Sequence, residues 1–131
     1  MSNTDTLKAG YEAFGRGDLE GATANFADDI RWENSEAPQL PNNGVTEGKE
    51  NVKQLFAELG NYWESFSITP GEFIESGDTV VVLSHSESKG KDTGKEVKLP
   101  FVHVWRFRDG KVVEVQALTD TALAADALGR L

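Results

Sequence analysis

Only two side chains in this sequence titrate near neutral pH in their ordinary state, His85 and His103, and the second of them stands among aromatics at alternate positions. In Phe101-Val102-His103-Val104-Trp105-Arg106-Phe107-Arg108, strand alternation puts Phe101, His103, Trp105 and Phe107 on one face and the valines and arginines on the other. An imidazole in the middle of an aromatic face reads two ways. It is either a pocket wall that can pass a proton to a small molecule, or a satisfied core histidine among packing rings. His85 lies on the preceding strand, where a turn centred near Thr93 and Gly94 would set it opposite Val102 or His103. Two inward imidazoles could share a proton or bind a metal, but no third ligand stands at suitable spacing, so an exposed His85 and no metal site are expected. Tyr11 either offers its hydroxyl to a ligand carbonyl or keeps its tip in water, and Trp32 and Trp63 read as wall or rim residues. A phosphate-cradling glycine loop, a nucleophile elbow and a metal signature are all missing, and no cofactor is expected.

Those residues need elements to hold them. Leu7, Tyr11 and Phe14 recur at helical spacing between Thr4 and Arg16, with Thr4 and Asp5 as candidate caps. Gly15-Arg16-Gly17 ends that helix, and Asp18 is placed to cap a second in which Leu19, Ala22 and Phe26 share a face. Ile30 to Asn34 alternates as a short strand, with Ile30, Trp32 and Asn34 to one side, and the proline- and asparagine-bearing stretch Ser35 to Gly48 reads as a loop. Val52, Leu55, Phe56 and Leu59 predict a third helix over Lys49 to Gly60. Four strands follow, at Phe66–Glu75, Thr79–Ser88, Val97–Arg108 and Lys111–Leu118, the last two joined by an Asp109-Gly110 hairpin turn. The alanine-rich stretch Asp120 to Leu128 predicts a short terminal helix that needs a docking surface. Helices followed by a long meander predict one α+β domain over residues 1–131, its helices packed on one face of a curved antiparallel sheet.

Composition narrows the partners. With 22 acidic residues against 13 basic ones the formal net charge is −9, which opposes the counterion release that nucleic acid offers a basic surface. Lys89, Lys91, Lys95 and Lys98 are interrupted by Gly90, Asp92, Gly94 and Glu96, the pattern of a solvated hairpin tip. There is no cysteine, and the polar opening Met1-Ser2-Asn3-Thr4-Asp5 precedes no long apolar run, so neither a membrane nor a secretory route is expected and a cytoplasmic location is. Val102, Val104, Val112 and neighbouring aliphatics would leave the outer face of the sheet apolar, and a homodimer through that face is expected.

Several segments occur in an order that is itself informative: Tyr11-Glu12-Ala13-Phe14 followed by Gly17-Asp18-Leu19, Trp32 on the first strand, Gly48-Lys49-Glu50-Asn51-Val52, Gly77-Asp78-Thr79-Val80-Val81, and His103-Val104-Trp105-Arg106-Phe107-Arg108-Asp109-Gly110-Lys111-Val112-Val113-Glu114. In this succession the chain resembles the SnoaL-like, ketosteroid-isomerase-related proteins of the nuclear-transport-factor-2-like superfamily. The resemblance implies a cone-shaped NTF2-like (cystatin-like) fold that binds a small apolar molecule and commonly dimerises through the sheet. It implies an apolar site of Tyr11, Phe14, Trp32, Trp63, Phe101, Trp105 and Ala117 around His103. Catalytic relatives carry an acid-base carboxylate on the last strand, and counting from His103 across Asp109-Gly110 brings that position to Ala117, which cannot transfer a proton. Asp120 is the nearest acid, matching an aspartate common at the end of that strand, with capping of the terminal helix as its other role. Two functions stay open: a cofactor-independent isomerase, cyclase or hydratase acting on a small carbonyl compound with His103 and Asp120 as catalytic candidates, or a non-catalytic ligand-binding or scaffold member of the same fold.

Overall fold

The structure is a computed structural model describing residues 1–131. Helix α1 (Asn3–Gly15) opens with a capping box. Ser2 Oγ accepts from the Asp5 backbone N–H at 3.1 Å while the Asp5 carboxylate accepts from the Ser2 N–H at 3.3 Å. The cap is therefore Ser2, two residues before the expected Thr4 and three before Asp5. Thr4 instead turns to the sheet, where its N–H donates to Glu75 Oε1 at 3.0 Å. Gly17, at φ +76°, ends the first helical segment in a conformation that a side chain resists. Asp18 then caps α2 (Leu19–Thr23), its Oδ1 accepting from the Gly21 N–H at 2.9 Å.

That second helix is shorter than its apolar spacing predicts. It ends at Thr23, and Phe26, expected on its face beside Leu19 and Ala22, is the first residue of β1 (Phe26–Asn34). Within the long loop after β1 a short strand, β2 (Val45–Glu47), pairs back against β1. Helix α3 (Lys49–Ala57) gives way to a tighter 3₁₀ turn at Glu58–Asn61, so it stops before the expected Gly60. The remaining elements are β3 (Trp63–Ser76), β4 (Thr79–Gly90), β5 (Glu96–Arg108), β6 (Lys111–Thr119) and α4 (Thr121–Ala127). Asp109 and Gly110 both have positive φ, 52° and 78°, as the tight hairpin between β5 and β6 requires.

The six strands form one sheet in the order β2-β1-β6-β5-β4-β3. The expected antiparallel meander holds from β3 to β6, but β1 runs parallel to β6, with Trp32 opposite Val115 and Asn34 opposite Ala117. Even positions of β4 and odd positions of β5 face inward, pairing Val80 with Trp105 and Val82 with His103. A register shift between Arg106 and Phe107 then sets Phe107 opposite Val112. This extra residue turns Val112 inward, where it is 1 % exposed, against the expectation that it lies on the outer face with Val102 and Val104. His85 pairs with Pro100, not with Val102 or His103, because the turn closes two residues earlier in total register than expected; its odd position faces away from the core.

Two apolar clusters result. The larger joins Ile30, Trp32, Val52, Val80, Val82, Trp105, Phe107, Val112 and Val115 beneath α1 and α3. The second gathers Trp63, Leu99, Ala37 and Leu40 with Ala124, Ala125, Ala127 and Leu128 of α4. That helix lies so close to the end of β4 that a Cβ at Gly90 would overlap the Ala127 carbonyl oxygen, which also accepts a hydrogen bond from the Thr93 hydroxyl. No helix is long and apolar enough to cross a membrane.

Candidate functional site

A cavity of about 130 Å³ lies between the two clusters. An apolar cavity of roughly 150 Å³ accepts benzene, so the enclosed part is on the scale of one ring. Its floor is the inner face of β1, β6 and β5, its roof is α1 with the end of α3, and its far wall is Trp63, Leu99 and Ala124. Tyr11, Phe14, Trp32, Trp63, Phe101, His103, Trp105 and Ala117 all line it. Asp120 does not. Its Oδ1 accepts from the Leu123 N–H at 3.0 Å, which makes it the N-cap of α4.

His103 sits at the centre of the floor, 5 % exposed, stacked on Phe101 at 5.6 Å between ring centroids and flanked by Trp32 and Trp105. Its Nδ1 is 2.8 Å from the Tyr11 hydroxyl oxygen, which also accepts from Trp105 Nε1 at 3.1 Å. Counting protons assigns the tautomer. Trp105 Nε1 can only donate, so the Tyr11 hydrogen needs an acceptor of its own, and His103 Nδ1 is the acceptor in reach. The chain then runs Trp105 to Tyr11 to His103, and Nε2–H is left as the donor available to a ligand.

Burial among these rings pushes the His103 pKa down to about 4, because no charged partner offsets the loss of water around an imidazolium. Tyr11 is pushed above its ordinary value, first by burial, with the Trp105 hydrogen bond acting the other way. Near pH 7 both groups are neutral. The pH dependence of stability follows from the depressed histidine: unfolded, it binds a proton below about 6.5, whereas the native state does so only below about 4. Stability should therefore fall as pH drops through that window, by about 3 kcal/mol from this residue, and flatten below it. Urea midpoints measured from pH 7 to pH 4 should show this limb, and it should be missing in His103→Gln.

The inner face also carries a polar group that sequence reading left without a role. Asn34 lines the cavity beside Trp32, and its Oδ1 accepts from Trp32 Nε1 at 3.1 Å. Because the indole is a donor only, this bond fixes which way the amide points and leaves Nδ2 free to donate. The available signal was strand parity, which puts Asn34 on the Trp32 side; its use depends on what lies two strands away. Phe26, Leu40, Phe56 and Ile68 are further lining residues. No group of three or more His, Cys, Asp or Glu side chains converges anywhere as a metal site would need.

Residues 7–115 match the SnoaL-like domain family, and the chain belongs to it. Among solved structures it is similar to an NTF2-like protein of unknown function from Burkholderia pseudomallei, at 33 % identity and a TM-score of 0.90 over 98 % of both chains. It is similar to TerC, co-crystallised with polyporic acid, at 29 % identity and a TM-score of 0.89 over 97 % of this chain and 98 % of that one. An NTF2-like protein from Burkholderia thailandensis shares 26 % identity at a TM-score of 0.90, over 98 % of each chain. Among curated proteins none matches the sequence. The α+β NTF2-like architecture with N-terminal helices on a multi-stranded sheet is thus common to the fold and its relatives, and it is consistent with a small-molecule-binding domain.

Proposed function

We propose that this protein binds a small apolar carbonyl compound in the cavity, with the ligand oxygen held by His103 Nε2–H. The observation that carries this reading is the chain from Trp105 through Tyr11 to His103, which ends in one oriented donor inside an aromatic cavity. A neutral imidazole of this kind polarises a carbonyl by hydrogen bonding, and a low-dielectric surround strengthens the bond as negative charge develops on the oxygen. Reactions open to such a site are cofactor-independent isomerisation, cyclisation or hydration of an activated carbonyl compound. TerC, similar in fold and co-crystallised with polyporic acid, supports the binding part of this reading.

The second reading is a non-catalytic ligand-binding or scaffold protein. Ala117 favours it, since this position faces His103 directly and offers no base, and Asp120 does not line the cavity. Solvent-deuterium incorporation at the acetyl methyl group of 4-methoxyacetophenone, where water or buffer takes the proton as His103 stabilises the enolate oxygen, followed by NMR alongside a binding titration, separates the two. Catalysis predicts saturable binding with exchange above the buffer rate. Saturable binding with exchange at the buffer rate would establish the second reading, and no binding would overturn the carbonyl site itself.

We further propose a homodimer through the outer face of the sheet. Ile74, Leu83 and Leu118 are 46 %, 40 % and 47 % exposed there, beside the half-buried Val81, Val102 and Val104, and such a surface favours a partner. Light scattering on the eluting peak at micromolar concentration should give twice the 14.3 kDa chain mass, and Leu118→Lys should restore the monomer. A wild-type monomer across that range would contradict the dimer.

A further inference from the structure

Three residues on the cavity floor form a row across neighbouring strands. Asn34 of β1 and His103 of β5 both stand opposite Ala117 of β6. Two strand spacings separate the outer pair, ~9.6 Å between main chains. Both outer residues end in donors, Nδ2 of Asn34 and Nε2 of His103, each oriented by a hydrogen bond to an aromatic residue, Trp32 and Tyr11 respectively. The methyl of Ala117 between them leaves a niche where any larger side chain would fill the gap. None of the 27 residues around the cavity is Asp, Glu, Lys or Arg.

From this juxtaposition, and resting on the reading of the cavity as a carbonyl site, we infer that Asn34 is a second ligand anchor. With His103 it selects an uncharged, flat ring seated over Ala117 that bears a hydrogen-bond acceptor at each of two opposite edges. Anions are excluded for a separate reason. A carboxylate would leave water for a cavity with no cation, on a protein whose net charge is −9, and two neutral donors do not replace its hydration. An ammonium group would find no carboxylate to pair with among the lining residues.

Three para-substituted acetophenones of similar shape test the inference by calorimetric titration: 4-methoxyacetophenone with two acceptors, 4-ethylacetophenone with one, and 4-acetylbenzoate with a charge. The methoxy compound should bind about threefold to tenfold more tightly than the ethyl compound, the range for one neutral hydrogen bond. The benzoate should bind at least about 100-fold more weakly than either, since its charge stays unpaired. In Asn34→Asp, which keeps an oxygen for Trp32 Nε1 but loses the donor, the preference for methoxy over ethyl should vanish. Equal binding of those two by the wild type would overturn the role of Asn34 whether or not the variant folds, as would a preference that persists in Asn34→Asp. Benzoate binding as tight as the ketones would overturn the selection for uncharged ligands. If none of the three bound, both the anchor and the carbonyl site would fall together, an outcome distinct from binding without preference.

Discussion

Replacing His103 with alanine is expected to lower the rate of exchange or turnover of a bound ketone by about 10²–10³-fold, the usual effect of deleting one donor to a developing oxyanion. The substitution removes the end of the Trp105–Tyr11–His103 chain and leaves the aromatic walls in place. Asp120→Asn should stay within severalfold of the wild-type rate, because asparagine caps a helix as well as aspartate does and the carboxylate is not at the cavity. The pH profile provides a second signature. Because the active form is neutral imidazole and burial pushes the His103 pKa down to about 4, kcat/KM should hold level down to that region and not fall near 6.5. A rate that survived His103→Ala but collapsed in Asp120→Asn would reverse these assignments.

Trp105→Ala should be the most damaging single change to stability among the lining residues, costing about 3–5 kcal/mol as large-to-small substitutions of buried aromatics do. Trp105 is 6 % exposed and packs against Tyr11, Phe26, Trp32 and His103. Domains of this kind hold only about 5–15 kcal/mol in total, so such a loss takes a third or more of the margin. Trp105→Phe keeps an aromatic ring but removes the donor to Tyr11 and three buried ring atoms, so about 2 kcal/mol is expected. Urea unfolding of the two variants gives the comparison directly. Similar losses in both would mean that the hydrogen bond, and not the ring volume, carries the effect.

Strand alternation alone faced His103 and Trp105 inward, since a period of two needs no knowledge of distant residues. Three other features depend on what the chain meets far away. The bulge that turns Val112 inward adds one residue to a ladder without any marking in the local pattern. The pairing of His85 with Pro100 follows from where the turn between β4 and β5 closes, and two residues of register changed its partner. The parallel contact of β1 with β6 has no turn signal at all, because no turn joins them. The cavity was legible as an aromatic face but not as a volume, and Asn34 acquires meaning only when Ala117 and His103 are placed beside it. Ser2 capped α1 in place of Thr4 because the reciprocal bond with Asp5 requires that spacing, while Thr4 was drawn to Glu75 on β3.

The parallel seam between β1 and β6 also sets an order on how the molecule can be completed. Glu33 and Gln116, whose side chains meet across it, lie 83 positions apart, and until β6 exists β1 has only the three-residue β2 to pair with. During synthesis the first strand is made well before β6, so the edge of β1 that β6 covers stays unpaired in that interval. Closing so long a loop is among the slow steps of folding. The floor of the cavity, which spans that seam, cannot be completed until β6 is delivered to pair with β1.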